Sequence, residues 1–459
     1  MVKLTPQQMT ALQRAWQQAD GMPIASSDEI VHDIFATAQT IAANSVRKTG
    51  PARISWQQSL DRILTSRLLG FPLMLLLLAA VFWLSIEGAE YPSKFLFALF
   101  NTGEQFLSNL PGLNAHPWLY GFFIQGIYRS TGWVIAVMLP PMAIFFPLFT
   151  LLEDLGYLPR IAFNLDRLFQ RAGGHGKQAL TMCMGFGCNA AGVISCRIIN
   201  SPRERLVAIL TNTFAPCNGR FPTFFALSSI FLSSAYYSFG SSLLVSVSIV
   251  TLVLIGIAAT FLTTWLLTHT ILKGVPSAFL LELPPYRPPQ VGQIIVRSIF
   301  DRTIQVLVRA IVWAAPAGAI TWLLANTYSG SESLLTLTAA YLDPVARLLG
   351  LDGIILLAFF LGLPANEIVL PIMLMGYLSA GALLWPDSLP LLQKLLIANG
   401  WTVKTAVFVM LFSLLHFPCS TTLWTIFKET GSKLWTAAAF LMPTALACSL
   451  LFVLNLWLP

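Results

Sequence analysis

Charge is the scarcest property of this chain. Only 10% of its 459 residues are Asp, Glu, Lys or Arg, where a soluble domain carries about 25%. With 56% hydrophobic residues and a mean hydropathy of +0.71, the composition excludes a soluble globular protein and leaves a polytopic membrane protein. Sulfur is sparse too. The six cysteines, Cys183, Cys188, Cys196, Cys217, Cys419 and Cys448, all lie in apolar surroundings, which excludes the disulfide framework of a small secreted domain. No CxxC pair occurs, so a structural zinc site is not expected. HExxH, GxSxG and paired intramembrane aspartates are all missing, which removes the usual signals of a membrane hydrolase. No bilayer-length apolar run precedes Arg67, so no cleavable signal peptide is read. The formal charge of +7 does not point to nucleic acid, because Lys and Arg cluster beside hydrophobic spans, where the positive-inside rule requires them.

What the chain does have is an unusual stretch at 182–225. Gly185, Gly187 and Gly192 bracket Cys188 and Asn189 inside an apolar run, and Pro216-Cys217-Asn218-Gly219 interrupts the next run. Proline removes a backbone donor, and glycine admits irregular backbone. Inside a bilayer such breaks survive only where protein or a water-filled cavity shelters the freed polar groups. Interrupted helices near the midplane are where transporters hold substrates and ions. Close helix packing on small residues is the plainer alternative.

Along the chain, residues 1–66 read as a polar, helical cytoplasmic connector, with helix starts at Pro6 and Ser27. Arg62 and Arg67 precede the first span at 68–86, placing the N-terminus in the cytoplasm. Residues 67–272 form a first membrane unit. Within it, 95–110 is expected to lie on the outer surface as an amphipathic helix, and 127–152 to span and end in Glu153-Asp154. Positive charge on both flanks makes 182–199 a re-entrant hairpin, and 206–232 is a span broken at Pro216. Residues 273–308 read as a basic cytoplasmic loop, including Pro284 and Pro289, plus an interfacial helix. Residues 309–459 form a second membrane unit, in which Pro364-Ala365-Asn366 echoes Gly187-Cys188-Asn189 and Pro418-Cys419 echoes Pro216-Cys217. Charge bias gives the two units opposite orientation. The expected fold is therefore all-α, two inverted repeats with interrupted helices and about seven to ten membrane segments.

In their order, these residues resemble the ferrous-iron transport protein B (FeoB) family in its membrane domain. The resemblance starts with Asp61-Arg62-Ile63-Leu64 and Gly70-Phe71-Pro72, then Leu152-Glu153-Asp154-Leu155-Gly156-Tyr157 with Asp166-Arg167-Leu168. It continues through Gly185-Phe186-Gly187-Cys188-Asn189, Ser201-Pro202-Arg203-Glu204-Arg205 and Pro216-Cys217 with Gly219-Arg220. Leu363-Pro364-Ala365-Asn366-Glu367-Ile368-Val369, Pro418-Cys419 and Lys428-Glu429-Thr430-Gly431-Ser432 complete it. The resemblance implies Fe(II) uptake across the bacterial cytoplasmic membrane through two gate-type repeats, with Cys188, Cys217 and Cys419 lining the pore. Where the family often has proline shortly after Cys-Asn, this chain has Ala190-Ala191-Gly192.

Members of the family usually begin with a GTP-binding domain. Here the nearest phosphate-loop candidate, residues 173–178, fails: Arg171 stands where the first glycine is needed, and Gln178 cannot supply the hydroxyl for Mg²⁺. The chain is thus expected to be a transporter and not an enzyme, with GTP and Mg²⁺ handled by a separately encoded G protein. Met1 favours a natural split over a truncation. The implied partners are membrane lipid, that G protein docking on residues 273–309 and the N-terminal helices, and small Feo accessory proteins. A homo-oligomer stays open. No permanently bound cofactor and no nucleic acid are expected.

Iron(II) accepts thiolate, imidazole and carboxylate ligands, and transport requires binding that is strong enough to dehydrate the ion yet releases it. Cys188, Cys217 and Cys419 are assigned as transient ligands, with Asn189 and Asn366 assisting. An intramembrane carboxylate is costly and functional by default, so Glu367 is a metal ligand or proton acceptor, or else the ion-pair partner of Arg220. His416, one turn before Cys419, is a ligand or a pore-facing hydrogen-bonding group. Glu153 and Asp154 cap their helix, paired with Arg160, or contribute to gating. Cys183, Cys196 and Cys448 are read as packing. Another divalent metal (Mn or Zn), or a nucleoside-like solute on the same fold, is the alternative cargo.

Overall fold

Long apolar runs without the alternation of a strand fold here as helices. The computed structural model describes residues 27–45, 56–66, 69–109, 116–231, 240–274, 290–383 and 389–458, and among them the only β-structure is the pair Tyr328–Ser329 and Glu332–Ser333. The protein is an all-α polytopic membrane protein. The helix start at Pro6 and the proline-rich stretch 284–289 lie outside the described residues.

Two polar helices come first, α1 (Ser27–Ser45) and α2 (Trp56–Leu64). The first unit holds α3 (Gly70–Ser108), α4 (Pro117–Asp154, π-helical over Gly121–Tyr128), α5 (Tyr157–Arg171), α6 (Gln178–Gly187), α7 (Asn189–Ser195), α8 (Pro202–Thr211), α9 (Phe221–Phe231) and α10 (Gly240–His269). The second holds α11 (Val291–Asn326), α12 (Leu334–Leu348), α13 (Gly353–Leu361), α14 (Val369–Tyr377), α15 (Leu389–Ala398), α16 (Val403–Leu415), α17 (Ser420–Thr430) and α18 (Lys433–Trp457). Six helical stretches among the described residues are long and apolar enough to cross a bilayer, or seven if α12 and α13, bent by 108°, count as one span. The pieces α6 to α9 and α14 are each too short to cross alone.

Two expectations about the surface helices change. Residues 95–108 do not lie on a surface as a separate helix. They continue α3, whose 39 residues make a rod about 58 Å long, longer than the hydrocarbon core. The face that reads as amphipathic packs on α4: Phe97 lies 4.9 Å from Trp133, Phe100 lies 5.8 Å from Tyr128, and the Tyr128 hydroxyl donates to the Phe100 carbonyl at 3.2 Å. Likewise 291–308 runs without interruption into the following span as α11, through a π-helical turn at Ser298–Ile304.

The core is split between the units. One apolar cluster joins α9 to α13, α14 and α16, and a second joins α3, α4, α5 and α6. The connector reaches the second cluster through α2. The Arg160 guanidinium, 2% exposed, donates from Nε to Asp61 at 3.0 Å and from Nη1 to the Gly156 carbonyl at 2.5 Å. Beside it, the Asn164 amide donates to the Leu64 carbonyl at 2.8 Å. Leaving a buried guanidinium without its carboxylate is costly. Asp61→Asn is therefore expected to lower unfolding stability in detergent by about 2 kcal/mol, and Asp61→Asn with Arg160→Gln to cost less than the two single changes summed. Strict additivity would show that α2 is not held by this pair.

Candidate functional site

Four helix starts meet at the centre of the molecule, each preceded by one extended residue. Cys188 (φ −155°, ψ 125°) precedes α7, and Ala365 (φ −152°, ψ 116°) precedes the 3₁₀ turn Asn366–Ile368 that leads into α14. Cys217 (φ −77°, ψ 164°) precedes the 3₁₀ turn Asn218–Arg220 and α9, and Cys419 (φ −62°, ψ 159°) precedes α17. The dihedrals pair Cys188 with Ala365 and Cys217 with Cys419, the same pairing as the sequence echo. None of the four residues makes a side-chain cap hydrogen bond, whereas Ser201, Ser333, Asp352, Thr402 and Ser432 cap helices elsewhere. The central N-termini thus keep their positive partial charge facing inward.

The breaks enclose a cavity of about 30 Å³ lined by Cys188, Asn189, Cys217, Asn366, Glu367 and Cys419, room for about one or two waters. All six residues named from sequence as ligands stand on this one wall. Among the described residues, no three His, Cys, Asp or Glu side chains are close enough to share one metal ion. The donor atoms on this wall are therefore dispersed and do not form a compact cluster among the described residues.

Hydrogen bonds hold the breaks in register. With its nitrogen turned toward the neighbouring carbonyls, the Asn189 amide donates to Gly185 and Ala215, both at 3.0 Å. Asn212 donates to the Asn189 carbonyl at 3.1 Å and fills the space that a side chain on Gly185 or Gly192 would need. In the second repeat, the Ser420 backbone N–H and hydroxyl both donate to the Leu363 carbonyl, at 2.8 and 3.1 Å. A Cβ on Gly219 would collide with the Glu367 carboxylate, so glycine there lets the two repeats approach.

Arg220 spans both repeats. Its side chain is fully buried, and Nη1 donates to the Leu414 carbonyl at 2.6 Å and to Thr213 at 3.2 Å, with Nη2 at 3.4 Å from the His416 carbonyl. It forms no ion pair with Glu367 among the described residues, which overturns the pairing weighed from sequence. The physical reason is the C-terminal end of α16, whose carbonyls have no helical partner; the guanidinium supplies their donors.

The remaining sequence candidates lie off the cavity wall. The His416 ring stacks among Phe359, Phe412 and Phe417, with Nδ1 3.0 Å from the Phe412 and Ser413 carbonyls. Glu153 and Asp154 are exposed at the end of α4. Cys183 packs in the second apolar cluster, and Cys196 donates to the Gly192 carbonyl at 3.3 Å. Two wall residues, Thr421 and Thr422, were missed from sequence. Thr421 Oγ1 and Asn366 Oδ1 are buried there without a hydrogen-bond partner among the described residues, and Thr422 bonds the Cys419 sulfur at 3.3 Å. The run of three hydroxyl residues after Pro418-Cys419, Ser420-Thr421-Thr422 at a helix start, was the available signal.

Two family models match the chain: "Nucleoside recognition" over residues 135–231 and 307–433, and "Ferrous iron transport protein B C terminus" over residues 249–301. The first covers both pairs of broken helices. A curated Fe(2+) transporter from Staphylococcus aureus is 29% identical over 411 residues, covering 86% of this chain and 58% of its own length. Curated Fe(2+) transporters from Methanocaldococcus jannaschii and Salmonella typhimurium are 26% and 31% identical, over 93% and 59% of this chain and 62% and 34% of their own lengths. The chain therefore spans less than two thirds of the length of these relatives. No solved structure matches it.

Removing the Arg220 donors is expected to cost more than any one of its hydrogen bonds. Arg220→Met should lower stability by about 3 kcal/mol, and Arg220→Lys should recover only part of that, since one ammonium cannot reproduce the fork that reaches both repeats. Thermal unfolding of the detergent-solubilised protein reads both. Unchanged melting of Arg220→Met would contradict the role given to Arg220.

Proposed function

The chain belongs to the ferrous iron transport protein B family, and from that premise we propose that it is the permease part of an Fe(II) transporter. The observation that carries the reading is the single cavity walled by Cys188, Cys217 and Cys419, contributed by both repeats, together with Glu367. Sulfur and carboxylate suit a borderline cation. The four inward-facing helix N-termini favour anionic ligands and oppose a resident cation, so the ion is held only while thiolate and carboxylate compensate. That balance suits passage better than storage. A cavity of about 30 Å³ supports a bare ion and argues against a nucleoside, although one matching family model carries that description. Mn(II) and Zn(II) would meet the same ligands, so selectivity has to be measured by competition.

In this reading the protein sits in the cytoplasmic membrane with α1 and α2 on the cytoplasmic side. A separately encoded GTPase controls opening from that face, contacting α2 and the basic start of α11. The clasp from Asp61 to Arg160 then lies on the route from the connector to α5, which packs against α6 and the Cys188 break.

Anaerobic Fe(II) uptake into proteoliposomes, with and without the GTPase and against Mn(II), Zn(II) and a nucleoside, tests the proposal. Cys188→Ser, Cys217→Ser and Cys419→Ser are each expected to cut Fe(II) uptake at least tenfold, roughly the loss seen when a metal ligand's support is disturbed, without lowering the melting temperature. Uptake unchanged in all three would make the cysteines packing residues. Ala365→Cys fills the fourth symmetry-related position with sulfur and is expected to retain metal longer and slow turnover. Faster turnover in that variant would contradict the balance described above.

A further inference from the structure

Beside the sulfur cavity lies a much larger chamber, of about 760 Å³, between α3, α4 and the start of α9. Its α3 wall is one helical face, with Glu87, Glu90, Asn101 and Glu104 on it at spacings of three, eleven and three residues, which keep to one side of a helix. Two bases offset part of this charge: Lys94 pairs with Glu90 one turn along α3, and Arg129 of α4 lies 3.5 Å from Glu104, which leaves Glu87 as the acid for the test. At the inner end stands Glu367, among the described residues the only one common to the walls of the chamber and of the sulfur cavity. It is nine-tenths buried, and among the described residues its carboxylate meets no hydrogen-bonding group but its own backbone N–H.

The two volumes differ in what they can hold. An octahedral hydrated ion carries six waters, each needing roughly 10–15 Å³ of such cavity volume, or roughly 60–90 Å³ for the shell. That fits the chamber with room to spare and cannot fit the cavity. Water must therefore leave the ion between the two, at the one place where an unpaired, buried carboxylate faces both. Aromatic walls from Phe97, Trp133 and Phe221 lower the local dielectric and focus the field of the carboxylates along the chamber.

We propose that this chamber is the external anteroom of the permeation path. It collects hydrated divalent cations on the α3 carboxylates and delivers them to Glu367, which replaces the first water to be lost. The proposal rests on the Fe(II) permease reading and deepens it. Glu104 with Arg129 sets the depth of the attraction, since the guanidinium cancels part of the acidic field.

The test is the concentration dependence of Fe(II) uptake by proteoliposomes holding the full chain, under anaerobic conditions at low and high salt. Glu87→Gln is expected to raise the half-saturating Fe(II) concentration roughly threefold at low ionic strength. In about 1 M salt the difference should disappear, because screening there acts within about 3 Å. Arg129→Gln is expected to lower the half-saturating concentration, the opposite sign. Half-saturation unmoved by both changes, or moved the same way by both, overturns the chamber's role while leaving the permease reading standing. No Fe(II) uptake by the unaltered chain overturns both.

Discussion

A helix broken inside a membrane exposes carbonyls and amides that lipid cannot satisfy, and the centre of this protein is organised around that constraint. Arg220 answers it most directly. One guanidinium, buried with no exposure, reaches carbonyls on both sides of the molecular centre, Thr213 in the first repeat and Leu414 and His416 in the second. Asn189, Asn212 and Ser420 satisfy further broken ends with amide and hydroxyl donors. Once those bonds are made, the extended residues before each new helix have nowhere to face but inward. Three of them are cysteines.

The same breaks set the electrostatics of the passage. Each helix restart turns a positive end toward the cavity, which would repel a bare cation if nothing else stood there. Sulfur at three of the four positions and the Glu367 carboxylate next to the fourth supply the opposing charge. Because Ala365 occupies the fourth position, sulfur is missing there, and the donors on the wall stay dispersed. A fully closed cage would bind more firmly and release more slowly. Among the described residues, the large acidic chamber and the small sulfur cavity share Glu367 alone, which on the proposed path is where hydration would give way to ligation.

Much of this was legible in the sequence because helix breaks are local. Glycine around Cys188-Asn189 and proline before Cys217 and Cys419 announce irregular backbone through their own stereochemistry, and the structure places an extended residue at each site. Long-range features were not legible. The face of α3 beyond residue 95 reads as amphipathic whether it lies on a membrane surface or packs on α4, and only Trp133 and Tyr128 on the facing helix decide it. The partner of Arg220 lies about two hundred positions away as backbone carbonyls, which no pattern of side chains reveals. Thr421 and the α3 carboxylates matter only because folding brings them to the walls of two hollows.

The central claim is that sulfur from both repeats contacts the transported ion at one constriction. X-ray absorption at the iron edge, on the reduced protein equilibrated with substoichiometric Fe(II), reads this without intermediary. A mixed first shell containing both sulfur and oxygen scatterers is expected, with the sulfur contribution diminished in Cys217→Ser and again when Cys419→Ser is added. A shell of oxygen and nitrogen alone, the same in the wild type and both variants, would contradict it.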